Sequence, residues 1–293
     1  MTTSIELITE SAILPKEHLP AVMATVRGDN LDAVVSSVLD SSAAHLGLTV
    51  YGRSVQMSVL AKLSQLRSLT LGGVGVTKDD FVEGLVHLQL LHLHTECRNK
   101  IDLSRHIDLR NLVCRRAQRV GGLTNLSRLS SLEAWSLQGP TMAELEPPPA
   151  LNSLKLIQPN IVDLDGIQRF VDLEALDISL AKKLTYIDTI ASLRSLRALR
   201  IQACAKVADF QAIGAVRTLE SLDFVDAGET LPLGFLEELP RLKSIRVVGR
   251  SAFLSNDISQ LLRLPCLERV DVRWLKRYDM SEVAFQSKLA HRR

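Results

Sequence analysis

The chain has 293 residues, 46% of them hydrophobic, and is therefore long enough to bury a large core. Its 35 Lys and Arg nearly balance its 33 Asp and Glu, so a formal net charge of +2 gives no chain-wide field that favours nucleic acid or a membrane surface. No stretch of about 18 uncharged apolar residues occurs, which excludes a membrane-spanning helix.

Residues 1–45 are predicted to form an N-terminal helical cap. Residues 1–20 contain three glutamates and lack the unbroken apolar run of a signal peptide, so we expect a protein that is not secreted. Further along, apolar residues at helical spacing follow the capping candidates Asp29 and Asn30. They are Leu31, Val34, Val35, Val38 and Leu39. Because the end of a repeat stack exposes core, this helix is expected to cover the first repeat.

Residues 46–275 are predicted to form a repeat domain of about eleven copies of the pattern L-x-x-L-x-x-L-x-L. The last apolar position of each copy recurs every 19 to 25 residues, with a mean near 22. These positions are Val50, Leu71, Leu93, Cys114, Leu137, Leu156, Ile178, Ile201, Phe224, Val247 and Val272. The closing L-x-L has the period of a strand, whereas leucines at spacing three belong to a turn or short helix.

This pattern resembles the leucine-rich-repeat superfamily, in particular its bacterial internalin-like class of about 22-residue repeats. Residues 160–167 match the N-x-I-x-D-I segment that precedes the leucines in that class. The resemblance implies an α/β leucine-rich-repeat solenoid, or horseshoe, with a parallel β-sheet on the concave face and short helices, 3-10 turns or arches on the convex face. The asparagine usual three positions after each strand is absent. Its place is taken by Val74, Glu96, Ala117, Pro140, Pro159, Ala181, Cys204, Ala227 and Arg250.

Residues 276–293 are predicted to form a C-terminal cap and tail. Ser281 is a candidate start for a short helix that carries Phe285 and Leu289 on one face. This helix is expected to cover the last repeat, as the N-terminal helix covers the first.

The side chains beside the inward leucines are predicted to point to the concave face. Their central column reads Thr49, Thr70, His92, Val113, Ser136, Lys155, Asp177, Arg200, Asp223, Arg246 and Asp271. From Lys155 onward the sign of the charge alternates over six adjacent repeats. This alternation has two interpretations, which are a ladder of ion pairs that only solubilises the sheet and a polar strip that binds a partner.

Two neighbouring columns add to the second interpretation. The column before the charges is small, with Ser153, Ala175, Ala198, Ser221 and Ser244. The column after them supplies apolar side chains, which suits an inserted partner. We therefore predict that the partner-binding residues are Lys155, Ile157, Asp177, Arg200, Asp223, Val225, Arg246, Val248, Asp271 and Trp274.

The stretch 98–128 is the most basic part of the chain, and its local charge within residues 94–128 is +5. It contains no Phe, Tyr or Trp, whereas grooves for nucleic acid combine positive charge with stacking aromatic rings. An acidic protein partner is therefore favoured over nucleic acid at the secondary basic patch of Arg115, Arg116 and Arg119, and a merely solvated face is the third interpretation.

His92 and His94 form an H-x-H pair on one predicted strand and are the candidate ligands for a metal. A third ligand with defined placement cannot be assigned from the sequence, and no phosphate-binding loop or nucleophile elbow occurs. The four cysteines form no C-x-x-C pair, which favours a reducing compartment.

Together these observations predict a non-catalytic, cytoplasmic, bacterial protein that has no cofactor and acts as a monomeric scaffold. Its predicted function is to bind another protein on the concave face as an inhibitor, immunity factor or adaptor. The alternatives are a metal-dependent enzyme or metal binder at His92 and His94, and a nucleic-acid binder through residues 98–128.

Overall fold

A computed structural model describes residues 3–8, 21–28, 31–52, 55–74, 80–95, 99–228 and 230–292. The chain divides into two compact units. Unit 1 consists of Met1–Trp135 with Glu146–Leu151, and unit 2 consists of Ser136–Leu145 with Asn152–Arg293. None of the described helices is long and apolar enough to cross a membrane.

Unit 1 contains a ladder of strands in the order β1-β2-β3-β4-β5-β7-β9, in which only the β1–β2 pair is antiparallel. The short strands β6 and β8 pair separately. The strands are β1 Thr3–Ile8, β2 Ala21–Arg27, β3 His45–Tyr51, β4 Ser68–Val74, β5 Leu90–Leu93, β6 Ile101–Asp102, β7 Asn111–Arg115, β8 Val120–Gly121 and β9 Ser131–Trp135. The helices are α1 Asp32–Asp40 and the 3-10 helices Met57–Lys62, Asp80–Gly84, Ala117–Arg119 and Leu123–Asn125.

Unit 2 continues the same plan with parallel strands in the order β10-β11-β12-β13-β15-β17, and with a second pair, β14 and β16. The strands are β10 Ser153–Ile157, β11 Ala175–Ser179, β12 Ala198–Gln202, β13 Ser221–Val225, β14 Thr230–Leu231, β15 Ser244–Val248, β16 Ala252–Phe253 and β17 Arg269–Val272. The helices are α2 Gln211–Gly214, α3 Glu282–Ala290 and the 3-10 helices Met142–Glu144, Ile167–Arg169, Asp188–Ser192, Gly234–Glu238 and Ile258–Arg263. One short parallel strand per repeat, joined by short helices and turns, confirms the predicted α/β solenoid.

The repeated leucines form the core, as their spacing predicts. In the repeat that contains β12, the side chains of Leu193, Leu196, Leu199 and Ile201 are at most 2% exposed. The strand residues between them alternate to the opposite face, because successive side chains of a strand point to opposite sides. Burying four such side chains per repeat gives a continuous apolar interior, since each repeat covers the next.

A left-handed residue follows the strand in successive repeats of both units and turns the chain out of the sheet. These residues are Arg116, Ser136, Gln158, Leu180, Ala203, Asp226 and Gly249, with φ between 50° and 74°. The backbone N–H of Leu180, for example, donates to the carbonyl oxygen of Gln202 at 2.8 Å. Cys204, which stands where the family has asparagine, is buried and its thiol donates to the carbonyl oxygen of Ile178 at 3.5 Å. A short thiol thus replaces the side-chain amide at this position.

The observed strand register corrects two of the predicted inward positions. Leu48, not Val50, aligns with Leu71, and Ala134, not Leu137, aligns with Cys114. The central column therefore contains Gly47 and Glu133 in place of Thr49 and Ser136. Three residues of β3 point inward, so the spacing of large aliphatic side chains alone does not determine which of them aligns with Leu71. In β9 the inward residue is a small alanine, which a search for leucine passes over.

A helix lies in each of the two terminal regions that the sequence predicts as caps. Helix α1 buries Val34, Val35 and Val38, while Leu39 is 47% exposed, and the candidates Asp29 and Asn30 lie outside the described residues. Residues 1–45 also contain β1 and β2, which the helical prediction does not include. Helix α3 begins after Ser281, whose hydroxyl oxygen accepts a hydrogen bond from the backbone N–H of Ala284 at 3.4 Å. Its side chains Phe285 and Leu289 are buried.

Candidate functional site

The predicted charge column of unit 2, here called the charge ladder, contains a chain of ion pairs from Asp177 to Asp271. It consists of Lys155, Asp177, Arg200, Asp223, Arg246 and Asp271, which occupy equivalent positions on six adjacent strands. Arg200 lies 4.0 Å from Asp177 and 3.5 Å from Asp223, measured between nitrogen and oxygen. Arg246 lies 3.4 Å from Asp223 and 3.1 Å from Asp271 in the same sense. The structure therefore brings these predicted residues together.

Polar side chains of the following column hold the charge ladder in place. The hydroxyl of Ser179 donates to Asp177 Oδ1 at 2.6 Å, and Arg200 Nη2 donates to the amide oxygen of Gln202 at 2.7 Å. Ser179 is itself buried, so it restrains the carboxylate from a fixed position. The side chains of Arg200 and Arg246 nevertheless remain 41% and 45% exposed.

The predicted apolar column is interrupted. Ile157 is buried, and Ser179 and Gln202 separate it from Val225, which is half-buried and aligned with Val248. Of the apolar residues predicted for this column, Val225 and Val248 are the two that remain partly exposed.

Trp274 follows β17 and packs against the C-terminal cap. Its ring centroid lies 6.3 Å from that of Tyr278 and 5.4 Å from that of Phe285. The half-buried side chain thus helps to attach helix α3 to the last repeat. The structure does not bring Trp274 into the charge ladder.

A second row of alternating charges, here called the outer row, lies immediately before the strands of unit 2. It consists of Glu174, Arg197, Glu220, Lys243 and Glu268, which are joined by backbone hydrogen bonds from each residue to the preceding one. Glu220 Oε1 lies 3.2 Å from Arg197, and Glu220 Oε2 lies 2.6 Å from Lys243. The hydrogen bond from Lys243 lowers the pKa of Glu220, and the same bond raises the pKa of Lys243. Sequence reasoning missed this row, although its sign alternates with the same repeat period.

The small column predicted from the sequence forms the floor of a groove between the outer row and the charge ladder. Ser153, Ala175, Ala198 and Ser221 line a cavity of about 320 Å³ together with charge-ladder residues. A second cavity of about 270 Å³ lies beside Ser221 and Ser244, with outer-row residues in its lining. The groove is narrowed at the last strand, because Arg269 aligns with Ser244.

The basic patch of unit 1 is partly buried. Arg115, Arg116 and Arg119 are half-buried, and each already makes an interaction within the chain. Arg116 has a left-handed backbone, and its N–H donates to the carbonyl oxygen of Trp135 at 2.7 Å. The exposed positive charge of residues 98–128 is instead carried by other side chains, which are Lys100, Arg105, Arg110 and Arg128.

The histidine pair of unit 1 is engaged in local packing. Asn111 Oδ1 lies 2.8 Å from His92 Nε2, and the rings of His92 and His94 meet edge to face with centroids 6.1 Å apart. Burial lowers the pKa of His92. Within the described residues, no three His, Cys, Asp or Glu side chains lie close enough together to hold a metal ion. Glu96 and Cys97, which follow the histidine pair in the sequence and have side chains that can bind a metal, lie outside the described residues.

Comparison with known proteins identifies the fold. No family model and no curated protein matches the chain. Among solved structures, the chain is similar to an internalin, InlF, of Listeria monocytogenes, with 14% identity, a TM-score of 0.54, and coverage of 92% of this chain and 84% of the internalin. It is also similar to a structure of the Toll–Spatzle complex of Drosophila, with 13% identity, a TM-score of 0.63, and coverage of 87% of this chain and 44% of the matched chain. The chain thus spans less than half the length of that second match. These similarities confirm a leucine-rich-repeat fold with internalins among its structural neighbours.

Proposed function

We propose that the chain is a protein-recognition module whose binding face is the face of the unit 2 sheet that carries the charge ladder. The observation that supports this proposal is the charge ladder, which is continuous over six strands and remains partly exposed. The adjacent Val225 and Val248 add a small apolar contact to the same face. A fixed pattern of charge with an apolar neighbour favours one partner and one binding register over others.

Hydrogen bonds that restrain the side chains of the charge ladder favour a role in binding over a role in solubility alone. Solubility requires only that charges are exposed, and mobile surface side chains satisfy that requirement. Here Ser179 and Gln202 hold Asp177 and Arg200 in single positions before any partner arrives. Binding to such a surface loses less side-chain entropy, because the side chains are already ordered.

We propose that binding itself is the output, so that the protein acts as an inhibitor, immunity factor or adaptor, without a cofactor and as a monomer. The similarity to a chain solved in complex with a protein, Spatzle, supports a protein as the partner. We place the protein in a bacterial cytoplasm. The free thiols Cys114, Cys204 and Cys266 support this compartment, since thiols stay reduced there.

The proposal is tested by exchanging two charges of the ladder. The double variant Arg200→Asp with Asp223→Arg keeps the net charge and the composition but breaks the alternation. The matched control is Arg128→Asp with Asp108→Arg, which exchanges an exposed ion pair of 2.7 Å in unit 1. Tagged full-length chains are used to capture proteins from cells of the source organism, and circular dichroism verifies the fold of each variant.

We expect one protein to be retained by the unchanged chain and by the control, and to be lost with the ladder exchange. Equal retention of that protein by both double variants would show that the charge ladder only solubilises the sheet.

A further inference from the structure

The outer row and the charge ladder carry the same sign on every strand that they share. Glu174 and Asp177 make the first shared strand acidic, and Arg197 and Arg200 make the next one basic. The following three strands are acidic, basic and acidic in turn. Their pairs are Glu220 with Asp223, Lys243 with Arg246, and Glu268 with Asp271. Five bands of alternating sign therefore follow one another, one band per strand, and Arg269 lies between the two acidic residues of the fifth.

The two rows that border the groove are three residues apart along the chain, about 10 Å between Cα atoms at 3.3 Å per residue, which is close to the diameter of an α-helix. The floor of the groove holds only serine and alanine from β10 to β15. Neighbouring bands are separated by the spacing of strands in a sheet, about 4.8 Å, so the five bands span about 19 Å.

This pattern disfavours a partner of uniform charge. A nucleic acid or an anionic membrane would be attracted by the bands of Arg197 and Lys243 and repelled by the acidic bands between them. An extended strand also matches poorly, because its side chains recur on one face about every 6.6 Å. An α-helix presents side chains on one face about every 5.4 Å, close to the spacing of the bands.

We propose that the groove binds an α-helix of a partner protein that carries basic and acidic side chains on successive turns of the face that enters the groove. This inference rests on the proposed function and names the class of partner. A basic side chain at the third band lies between Glu220 and Asp223, and the acidic side chain one turn on lies between Lys243 and Arg246. Each charge of the helix thus meets two opposite charges, one from each wall. About 10 helical residues span the first four bands, which precede Arg269.

The test uses two synthetic peptides of about 21 residues, or roughly six helical turns. The alternating peptide carries Lys and Glu on successive turns of the face that is to enter the groove, with alanine at the other positions. The segregated peptide has the same composition, with all Lys in one half and all Glu in the other. Binding to the full-length chain is measured by fluorescence anisotropy at low ionic strength, and circular dichroism verifies that both peptides are helical.

The variant Ala198→Trp fills the floor of the groove without changing a charge. Its matched control is Ser131→Trp, at the equivalent first position of β9 in unit 1. We expect the alternating peptide to bind at least about tenfold tighter than the segregated one, equivalent to about 1.4 kcal/mol. We expect Ala198→Trp to remove this binding and Ser131→Trp to leave it unchanged.

Equal binding of both peptides, binding of neither, or full binding by Ala198→Trp would overturn the inference. These results are separate from the test of the proposed function. If the charge exchange at Arg200 and Asp223 abolishes capture of the partner while neither peptide binds, the partner is not such a helix and the proposed function stands. If the exchange leaves capture intact, the proposed function itself fails.

Discussion

The strands of the two units share the same pattern of inward, buried side chains, but the side chains on the opposite face of the sheet differ. In unit 1 the central column reads Met23, Gly47, Thr70, His92, Val113 and Glu133. It has one acidic residue and no alternation. In unit 2 every position of the equivalent column is charged, and the sign alternates from Lys155 to Asp271. The inward residues determine the fold, so the outer columns are free to differ, and the regularity of unit 2 points to a role beyond folding.

Unit 1 also fills part of its own outer face. A side chain at Gly47 would collide with Met23, because an added Cβ would lie 2.3 Å from the Met23 sulfur. Met23 thus covers the position that a charged residue occupies in unit 2. Unit 2 leaves the floor beside its charges half-exposed, as at Ala175 and Ala198. This contrast is the reason for placing the binding face in unit 2.

The largest expected effect tests the shared inward pattern. Leu112 in unit 1 and Leu199 in unit 2 occupy equivalent strand positions and are at most 1% exposed. We expect Leu112→Ala and Leu199→Ala each to lower the free energy of unfolding of its unit by about 3 kcal/mol, through lost burial and a residual cavity. The two tryptophans, Trp135 and Trp274, lie in different units, so single-tryptophan variants report each unit in urea titrations. A cost below about 1 kcal/mol in one unit only would contradict the shared packing.

The inward pattern was the part of the fold most accessible to sequence reasoning. Large aliphatic side chains at fixed spacing must be buried together, and this predicted the strands of unit 2 without error in register. The pattern failed where small residues face inward, as at Ala134 in β9 and Ala24 in β2. An alanine fills an inward position as well as a leucine where neighbouring side chains occupy the space, but it carries little periodic signal.

The candidate site was predictable in part. A column of alternating charge inside a strand pattern can be identified from the sequence, because the strand period assigns its side chains to one face. The outer row was not predicted because it precedes the strands, where the period-two alternation no longer indicates which way a side chain points. The packing of Trp274 on Phe285 was also inaccessible, since it depends on where helix α3 folds back.

The next expected effect concerns the left-handed turn that both units share. Gly249 has φ of +74°, and a Cβ there would lie 2.4 Å from Asp226 Oδ1. We expect Gly249→Ala to lower the free energy of unfolding of unit 2 by about 1 to 2 kcal/mol, because a side chain disfavours this backbone conformation. Gly72→Ala is the control, since no atom of the described residues lies within 4 Å of a Cβ at that position. Equal stability of both variants would show that the turn tolerates side chains without strain.

Acid is expected to lower the stability of unit 1 more than that of unit 2. His106 in unit 1 is fully buried, with its Nε2 2.9 Å from the carbonyl oxygen of Val82, and burial lowers its pKa. The pKa of His106 is therefore lower in the folded state than in the unfolded state. The stability that follows from this difference is present above the ordinary pKa of histidine and is lost as the pH falls below that value. Unit 2 contains a single histidine, the exposed His291.

We expect the free energy of unfolding reported by Trp135 to fall between pH 7 and pH 5, by at most about 1.4 kcal/mol per pH unit for one proton. The value reported by Trp274 should change less. His106→Gln should reduce the slope without abolishing it, because burial lowers the pKa of His92 as well. A slope at Trp135 that is the same with and without His106 would assign the acid sensitivity to another group.

The smallest expected effect is the contribution of the charge ladder to stability, and its size sharpens the contrast between the units. Asp223→Asn removes the ion pairs to Arg200 and Arg246, which are partly exposed, so we expect a loss of no more than about 1 kcal/mol from the free energy of unfolding. Asp108→Asn, which removes one exposed pair in unit 1, should lose a similar amount or less.

A small value at Asp223, combined with loss of partner capture on charge exchange, would mean that the alternation of unit 2 is not needed for folding. A loss of several kcal/mol would instead make the charge ladder a structural element of the sheet. The outer face of unit 2 would then differ from that of unit 1 because the second ladder of strands depends on its charges, and the case for a binding strip would lose its main support.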